Sequence, residues 1–374
     1  MPLSAVFFKN LCGTALAMRS PTHAEVCQKV AASITLAPRS TGWLRSTSFD
    51  LTFIGGIALL SLLTGLYVVL NPSTFTAIFI VNGWLLGYHH VTSTYTRLVF
   101  DRDSIVENRF LLTWLPLIVL AAVIIASFAF GAWILTTVYL YWQWWHYTRQ
   151  SYGVSRIYTR KAGIVPDRLT TAAVYAIPLT GILYRSYQAP DTYIFSSVKV
   201  VPVPLWLVSI AGACAVVITT AWLGRQVITR SLATPLTLYM CSHITIFSFG
   251  YLLIDDINHG WLVLNVWHNA QYILTVWLFN NNRFKDGIHP KHRFLSYLSQ
   301  QNHVMQYFAV CLILSTLAYS LFGFAVSTLS ALIATSLPLV AIAYQAINFH
   351  HYVVDAVIWK VRRKPVQQNF GIAK

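Results

Sequence analysis

The stretch "FLLTWLPLIVLAAVIIASFAF", Phe110–Phe130, holds no charged side chain and ends at the break "FGA", Phe130–Ala132. A helix needs about 20 consecutive apolar residues to cross the hydrocarbon core of a bilayer. A segment apolar on every face has no side to turn toward water, so it reads as a membrane helix rather than a surface helix. Working outward, the same pattern recurs at Leu51–Leu70, Thr76–Leu98, Trp133–Arg156, Leu169–Tyr184, Val203–Leu223, Pro235–Ile254, Ile257–Phe279, Val304–Phe324 and Thr328–Trp359. Turn-like breaks separate several of these runs: "NPST" at Asn71–Thr74, "DDIN" at Asp255–Asn258 and "FGF" at Phe322–Phe324. The expectation is an all-α, polytopic membrane helix bundle of about ten spans.

Composition agrees. Of 374 residues, 56% are hydrophobic and 10% charged, against about 25% charged in soluble domains. The bundle is expected over residues 51–360, flanked by a basic tail or amphipathic segment at 1–50 and a basic tail at 361–374. The formal net charge of +15 would mark a soluble chain as a nucleic-acid binder. Here no nucleic-acid partner is expected, because the cations sit where topology anchors belong. Arg97, Arg102 and Arg109 follow the second run, and Arg149, Arg156, Arg160, Lys161 and Arg168 the fourth. Arg225 and Arg230 follow the sixth, Arg283, Lys285, Lys291 and Arg293 the eighth, and Lys360, Arg362, Arg363 and Lys364 the tenth. The intervening loops are short or poor in charge. The positive-inside rule then sets both termini on the cytoplasmic side. The compartment is a bacterial inner membrane, or an organelle membrane if the Ser/Thr-rich, acid-poor N-terminal tail is a targeting segment. Cys12, Cys27, Cys214, Cys241 and Cys311 show no paired spacing, so no disulfide framework is expected.

The histidines carry the chemistry. The chain has 12. His89 and His90 lie in "GYHHVTSTYTR", His146 in "YWQWWHYTRQSYG", His268 in "NVWHNAQYILTVW", and His350 and His351 in "INFHHYVVDAVIWK". All are roughly 7–15 residues from the basic end of their run, so about 10–22 Å deep at 1.5 Å per residue. His243, in "CSHITIF", falls in the same layer. Ionisable groups within spans are costly and mark function by default. Neutral imidazole is the commonest metal ligand, and histidines converging from several helices build a metal site in a bundle core. His89, His90, His146, His268, His350 and His351 are therefore the expected metal ligands, with His243 a further candidate. Asp355 lies four residues after His351, Gln150 four after His146 and Gln271 three after His268, each pair on one helix face. These three are candidate ligands or hydrogen-bond partners of ligating imidazoles. Adjacent helix positions point about 100° apart. Each tandem pair thus implies one member beside the metal and one outside it, two metals, or a local irregularity.

Nitrogen donors with a carboxylate suit iron, zinc or copper. Glutamate is confined to Glu25 and Glu107 and there is no HExxH, which argues against zinc hydrolysis. The tandem and single histidines on membrane helices resemble the poly-histidine integral-membrane non-haem iron enzymes, the fatty-acid desaturases and hydroxylases and the bacterial carotene-cleaving dioxygenases. The resemblance is one of type, since the HxxxH and HxxHH boxes of the desaturases are absent. It implies one or two non-haem iron ions, dioxygen as co-substrate and a lipophilic substrate taken from the bilayer. For a desaturase or hydroxylase it also implies an external electron donor. Two other classes use the same histidines: a b-type haem electron-transfer protein and a metal or proton transporter. The outer halves of the second and tenth runs, "TAIFIVNGW" and "LSALIATSLPLVAIA", are almost purely apolar, which favours a one-sided site over a conduit.

Overall fold

The computed structural model describes residues 42–100, 102–333 and 337–372; most of the tail or amphipathic segment expected at 1–50 lies outside them. The first nine apolar runs each fall on one long helix, and the tenth, Thr328–Trp359, is divided between the last two. The long helices are α1 (Thr47–Leu70), α2 (75–99), α3 (Arg109–Phe130), α4 (Trp133–Lys161), α5 (Arg168–Gln188), α6 (Leu205–Ile228), α7 (Pro235–Leu253), α8 (Ile257–Arg283), α9 (Gln301–Ile333) and α10 (Leu339–Ile358). The strands among the described residues, β1 (Thr192–Tyr193) and β2 (Ser196–Ser197), form a short hairpin between α5 and α6. The protein is all-helical in class.

Among the described residues five helices, α1, α3, α6, α7 and α9, are long and apolar enough to cross a membrane. The other five carry more polar groups, and the fold turns many of these inward. On α8, Leu262, Trp267, His268 and Gln271 are each no more than 1% exposed. By contrast Phe128 on α3, Leu332 on α9 and Ile228 on α6 are about four-fifths exposed. Large apolar side chains outside and hydrogen-bonded polar ones inside is the arrangement that a hydrocarbon solvent rewards.

Local chemistry sets several helix ends. Ser46 Oγ accepts from the Phe49 amide at the start of α1, and Asp256 accepts from the amides of Asn258 and His259 at the start of α8. Pro235 opens α7 behind the capping Thr234, the position where a missing N–H costs nothing. The break expected at "FGF" does not form, and α9 runs on through Gly323 to Ile333. One glycine weakens a helix by only about 1 kcal/mol. Pro338, which caps α10 instead, cannot continue a helix because it lacks the donor.

Two close crossings need glycine. A methyl at Gly65 of α1 would overlap Val263 of α8, where Ser61 Oγ also donates to the Val263 carbonyl at 2.9 Å. A methyl at Gly260 of α8 would overlap the Gly250 carbonyl of α7. Arg185, fully buried at the end of α5, closes this corner by donating to the carbonyls of Gly250, Ile254 and Asp255.

The connections segregate. At one end Arg45 donates to Asn281, Asn282 to the Asn369 carbonyl, Arg160 to the Val361 carbonyl and Arg363 to Glu107. At the other, the Ile194 amide donates to Asn258 and the Lys199 amide to Thr137. The segment expected as a C-terminal tail is folded here: the short helix Lys364–Asn369 buries Val366 and Phe370, and Lys161 donates to the Phe370 carbonyl.

Candidate metal centre

Helices α2, α4 and α10 bring together His90, His146, His351 and Asp355. One donor atom from each lies within 4.8 Å of all the others, and all four residues are buried. The Nε2 atoms of His90 and His351 face each other at 2.7 Å. Asp355 Oδ2 is 3.4 Å from His351 Nε2 and 3.8 Å from His146 Nε2. Donors on opposite sides of one ion, each at about 2.1 Å, stand about 4.2 Å apart, so small side-chain adjustments would close this set on a single cation. His146 Nε2 is buried without a hydrogen-bond partner. Buried polar atoms are rarely left so, and a cation among these donors would satisfy it.

A hydrogen-bond chain orients the set. Trp359 Nε1 donates to Tyr272 Oη at 2.8 Å, and Tyr272 donates to Asp355 Oδ1 at 2.6 Å. Thr94 Oγ1 lies 2.6 Å from Tyr272 Oη and 3.2 Å from His351 Nδ1. An indole can only donate, and with Asp355 ionised the one Tyr272 proton goes to the carboxylate. With Thr94 donating to Tyr272, its oxygen is placed to accept from His351 Nδ1–H, and it also lies 3.5 Å from Asp355 Oδ1. In that tautomer the lone pair of His351 Nε2 faces His90, His146 and Asp355, the arrangement a ligating imidazole needs.

The other expected site residues are placed differently. His268 stands against the group, its ring centroid 4.8 Å from His90, 4.9 Å from His146 and 4.0 Å from Tyr147. Its Nδ1 is buried without a partner, but His268 is not one of the four converging donors. His350 points away: its Nε2 donates to the Leu111 carbonyl of α3 at 2.7 Å, and its Nδ1 accepts from Tyr95 Oη at 2.8 Å. His89 also points away and packs edge-on to Phe308 of α9 at 5.9 Å. His243 clasps other helices, its Nε2 donating to the Val174 carbonyl at 2.9 Å and its Nδ1 accepting from Ser151 at 2.7 Å. Gln150 donates to the backbone carbonyl of His268, not to a ring, and Gln271 donates to the Phe53 carbonyl. Each tandem pair thus puts one member beside the cluster and one outside it. On α10 the helical twist alone separates the pair; on α2 the π-helical turn Gly83–Tyr88 directly precedes it.

Tyr272, Thr94 and Trp359 escaped the sequence reading, yet each had a signal. They lie four residues after His268, His90 and Asp355, on the same helix faces. The network also reaches further toward the β1–β2 end of the bundle than the apolar halves of α2 and α10 implied. Gln143 donates to Tyr139 and Tyr147 and accepts from Tyr193 and Trp261, and Asn265 donates to Tyr147 at 2.6 Å. Four partners leave the Gln143 amide no free position, so it acts as a fixed hub and not as a relay.

Beside His90, His268 and His351 lies a cavity of about 40 Å³, walled by Tyr88, Tyr139, Tyr147 and Tyr352 among others. Room of this order holds a water-sized molecule. The imidazoles pack on one another at centroid separations of 4.6 to 6.4 Å, with no slot for a porphyrin between them. No protein-family model, curated protein or solved structure matches the chain.

Proposed function

We propose that the protein is a membrane-embedded non-haem iron oxidoreductase that uses dioxygen on a lipophilic substrate. The observation that carries this reading is the convergence of His90, His146, His351 and Asp355, four donors from three helices, in one buried group. Imidazoles with a carboxylate are a donor set suited to non-haem iron. One ion is the natural occupancy, because His89 and His350 are turned out of the group. Bound there, iron would supply the electron and dioxygen chemistry that protein side chains lack.

The chain's own residues do the rest. Tyr272 and Thr94 hold Asp355 and His351 in place, and the aromatic packing excludes water. The adjoining cavity accommodates a diatomic molecule but not an acyl chain, so the substrate must displace part of its wall. Tyr88 and Tyr319, stacked at 3.9 Å between α2 and α9, are the gate this reading assigns.

All ten long helices are read as spans with both termini cytoplasmic, in a bacterial inner or organelle membrane. In support, the cation-rich connections meet one another at one end of the bundle. An external electron donor would dock at that basic end. Cysteines placed at Lys161, Lys291 and Lys199 test the topology: the first two are expected to label from one side of the membrane and the third from the other.

Metal analysis of the purified chain is the direct test of the centre. His90→Ala and His146→Ala are each expected to lose most of the bound iron, and His350→Ala to keep it. Full metal content in both of the first two variants would rule out the centre. A Soret band from bound haem in place of non-haem iron would replace it with the electron-transfer class.

A further inference from the structure

At the basic end of the bundle lies a cavity of about 310 Å³, lined by Arg97, Arg283, Arg363, Asn108 and Gln368 among others. Arg97 is its buried member, at 7% exposure. Its guanidinium sits 4.2 Å from the ring centroids of both Phe279 and Trp359, and its Nη1 is buried with no partner among the described residues. Aromatic faces attract the cation but leave that N–H without an acceptor. An arginine keeps its charge under such conditions, so the site holds a positive charge and an unused donor beside an open volume. The lining carries Arg97, Arg283 and Arg363 against the two carboxylates Asp103 and Glu107, and Glu107 is already held by Arg363 at 2.9 Å, so a net positive charge remains.

We propose that this cavity binds a phosphate group. The guanidinium fork matches phosphate oxygens two at a time, and the side-chain amide of Gln368 adds an uncharged donor, whereas the Asn108 amide already donates to the Ser104 carbonyl. The volume exceeds what a bare ion needs, so the phosphate carries an organic part. Phospholipid headgroups and soluble phosphate esters both present this chemistry at the basic face of a membrane protein. The site stands on residues separate from the proposed metal ligands. It adjoins them through Trp359, whose ring covers Arg97 and whose indole N–H donates to Tyr272.

The test uses the full chain, purified in detergent and stripped of lipid, with thermal stability followed during titration. The ligands are inorganic phosphate, dihexanoylphosphatidylglycerol and dihexanoylglycerol, the last lacking phosphate. Saturable stabilisation by dihexanoylphosphatidylglycerol alone supports the proposal and assigns a lipid headgroup; stabilisation by inorganic phosphate as well supports it and assigns a soluble source. Arg97→Gln should raise the Kd about tenfold or more, which is about 1.4 kcal/mol. Arg363→Gln, at the accessible rim, should weaken binding without threatening the fold. No stabilisation by either phosphate ligand, equal stabilisation by dihexanoylglycerol, or unchanged affinity in both variants would overturn the proposal.

Discussion

At the scale of single residues, the centre depends on groups that never touch the proposed metal. Thr94 is the clearest case. It sits between Tyr272 and His351, where its oxygen is placed to accept from His351 Nδ1–H. Removing such a partner typically lowers metal affinity about 10–100-fold. Thr94→Val is therefore expected to bind iron more weakly by about that factor in a chelator competition, and Tyr272→Phe likewise. A Thr94→Val affinity equal to wild type would show that the His351 tautomer is set by something else. His351 and Asp355 were legible as a pair from their spacing of four, and the structure places them 3.4 Å apart. That spacing already favoured His351 over His350, whereas His89 and His90 have no acid on either face and were not separable in sequence.

Among elements, what matters is how closely α8 is approached. α8 contacts α1 over Gly65 and α7 over Gly260, where no side chain fits. Gly260→Ala must push α7 and α8 apart against backbone and is expected to cost about 1–3 kcal/mol, read as a lower melting temperature. Gly153 of α4 has open space around its Cβ position. Gly153→Ala should instead be neutral or stabilise by up to about 1 kcal/mol, which makes it the control. Arg185→Met would leave the carbonyls at the α7–α8 corner without their donor, at roughly 2–4 kcal/mol. If Arg185→Met melts like wild type, the corner is held by packing alone. The break between α9 and α10 shows the limit of element reading. A glycine signals a weak point only: α9 passes Gly323 unbroken, and α10 begins behind Pro338.

Over the whole molecule, helices are tied at their ends by polar contacts, one of which responds to pH. Asp167 opens α5 and receives hydrogen bonds from Thr170 and from Arg225 of α6. Burial alone would raise its carboxyl, but the bonds from Arg225 and Thr170 outweigh that and hold it at about 2. A carboxyl held below its ordinary value of about 4 contributes stability that is complete above that value and lost as pH falls through the folded one. The stability difference between wild type and Asp167→Asn should thus be constant near neutrality and close between about pH 4 and pH 2, by melting in a pH series. A difference that stays constant to the acid end would contradict the assignment.

The sequence by itself determined the all-helical class and the course of most helices, because a run of apolar residues marks a helix core whatever it packs against; the boundary between α9 and α10 was not among them. It also levelled the histidines, since depth along a helix is a count of residues. Which histidines meet depended on the rotation of each helix about its axis, and that is set by contacts such as Gly65 on Val263 and by the π-helical turn before His89. Those are long-range packing choices that no local pattern records. Hence His90, His146, His351 and Asp355 were drawn from a longer list only by the tertiary structure, and Thr94, Tyr272 and Trp359 joined them because folding brought three i, i+4 pairs onto one buried point.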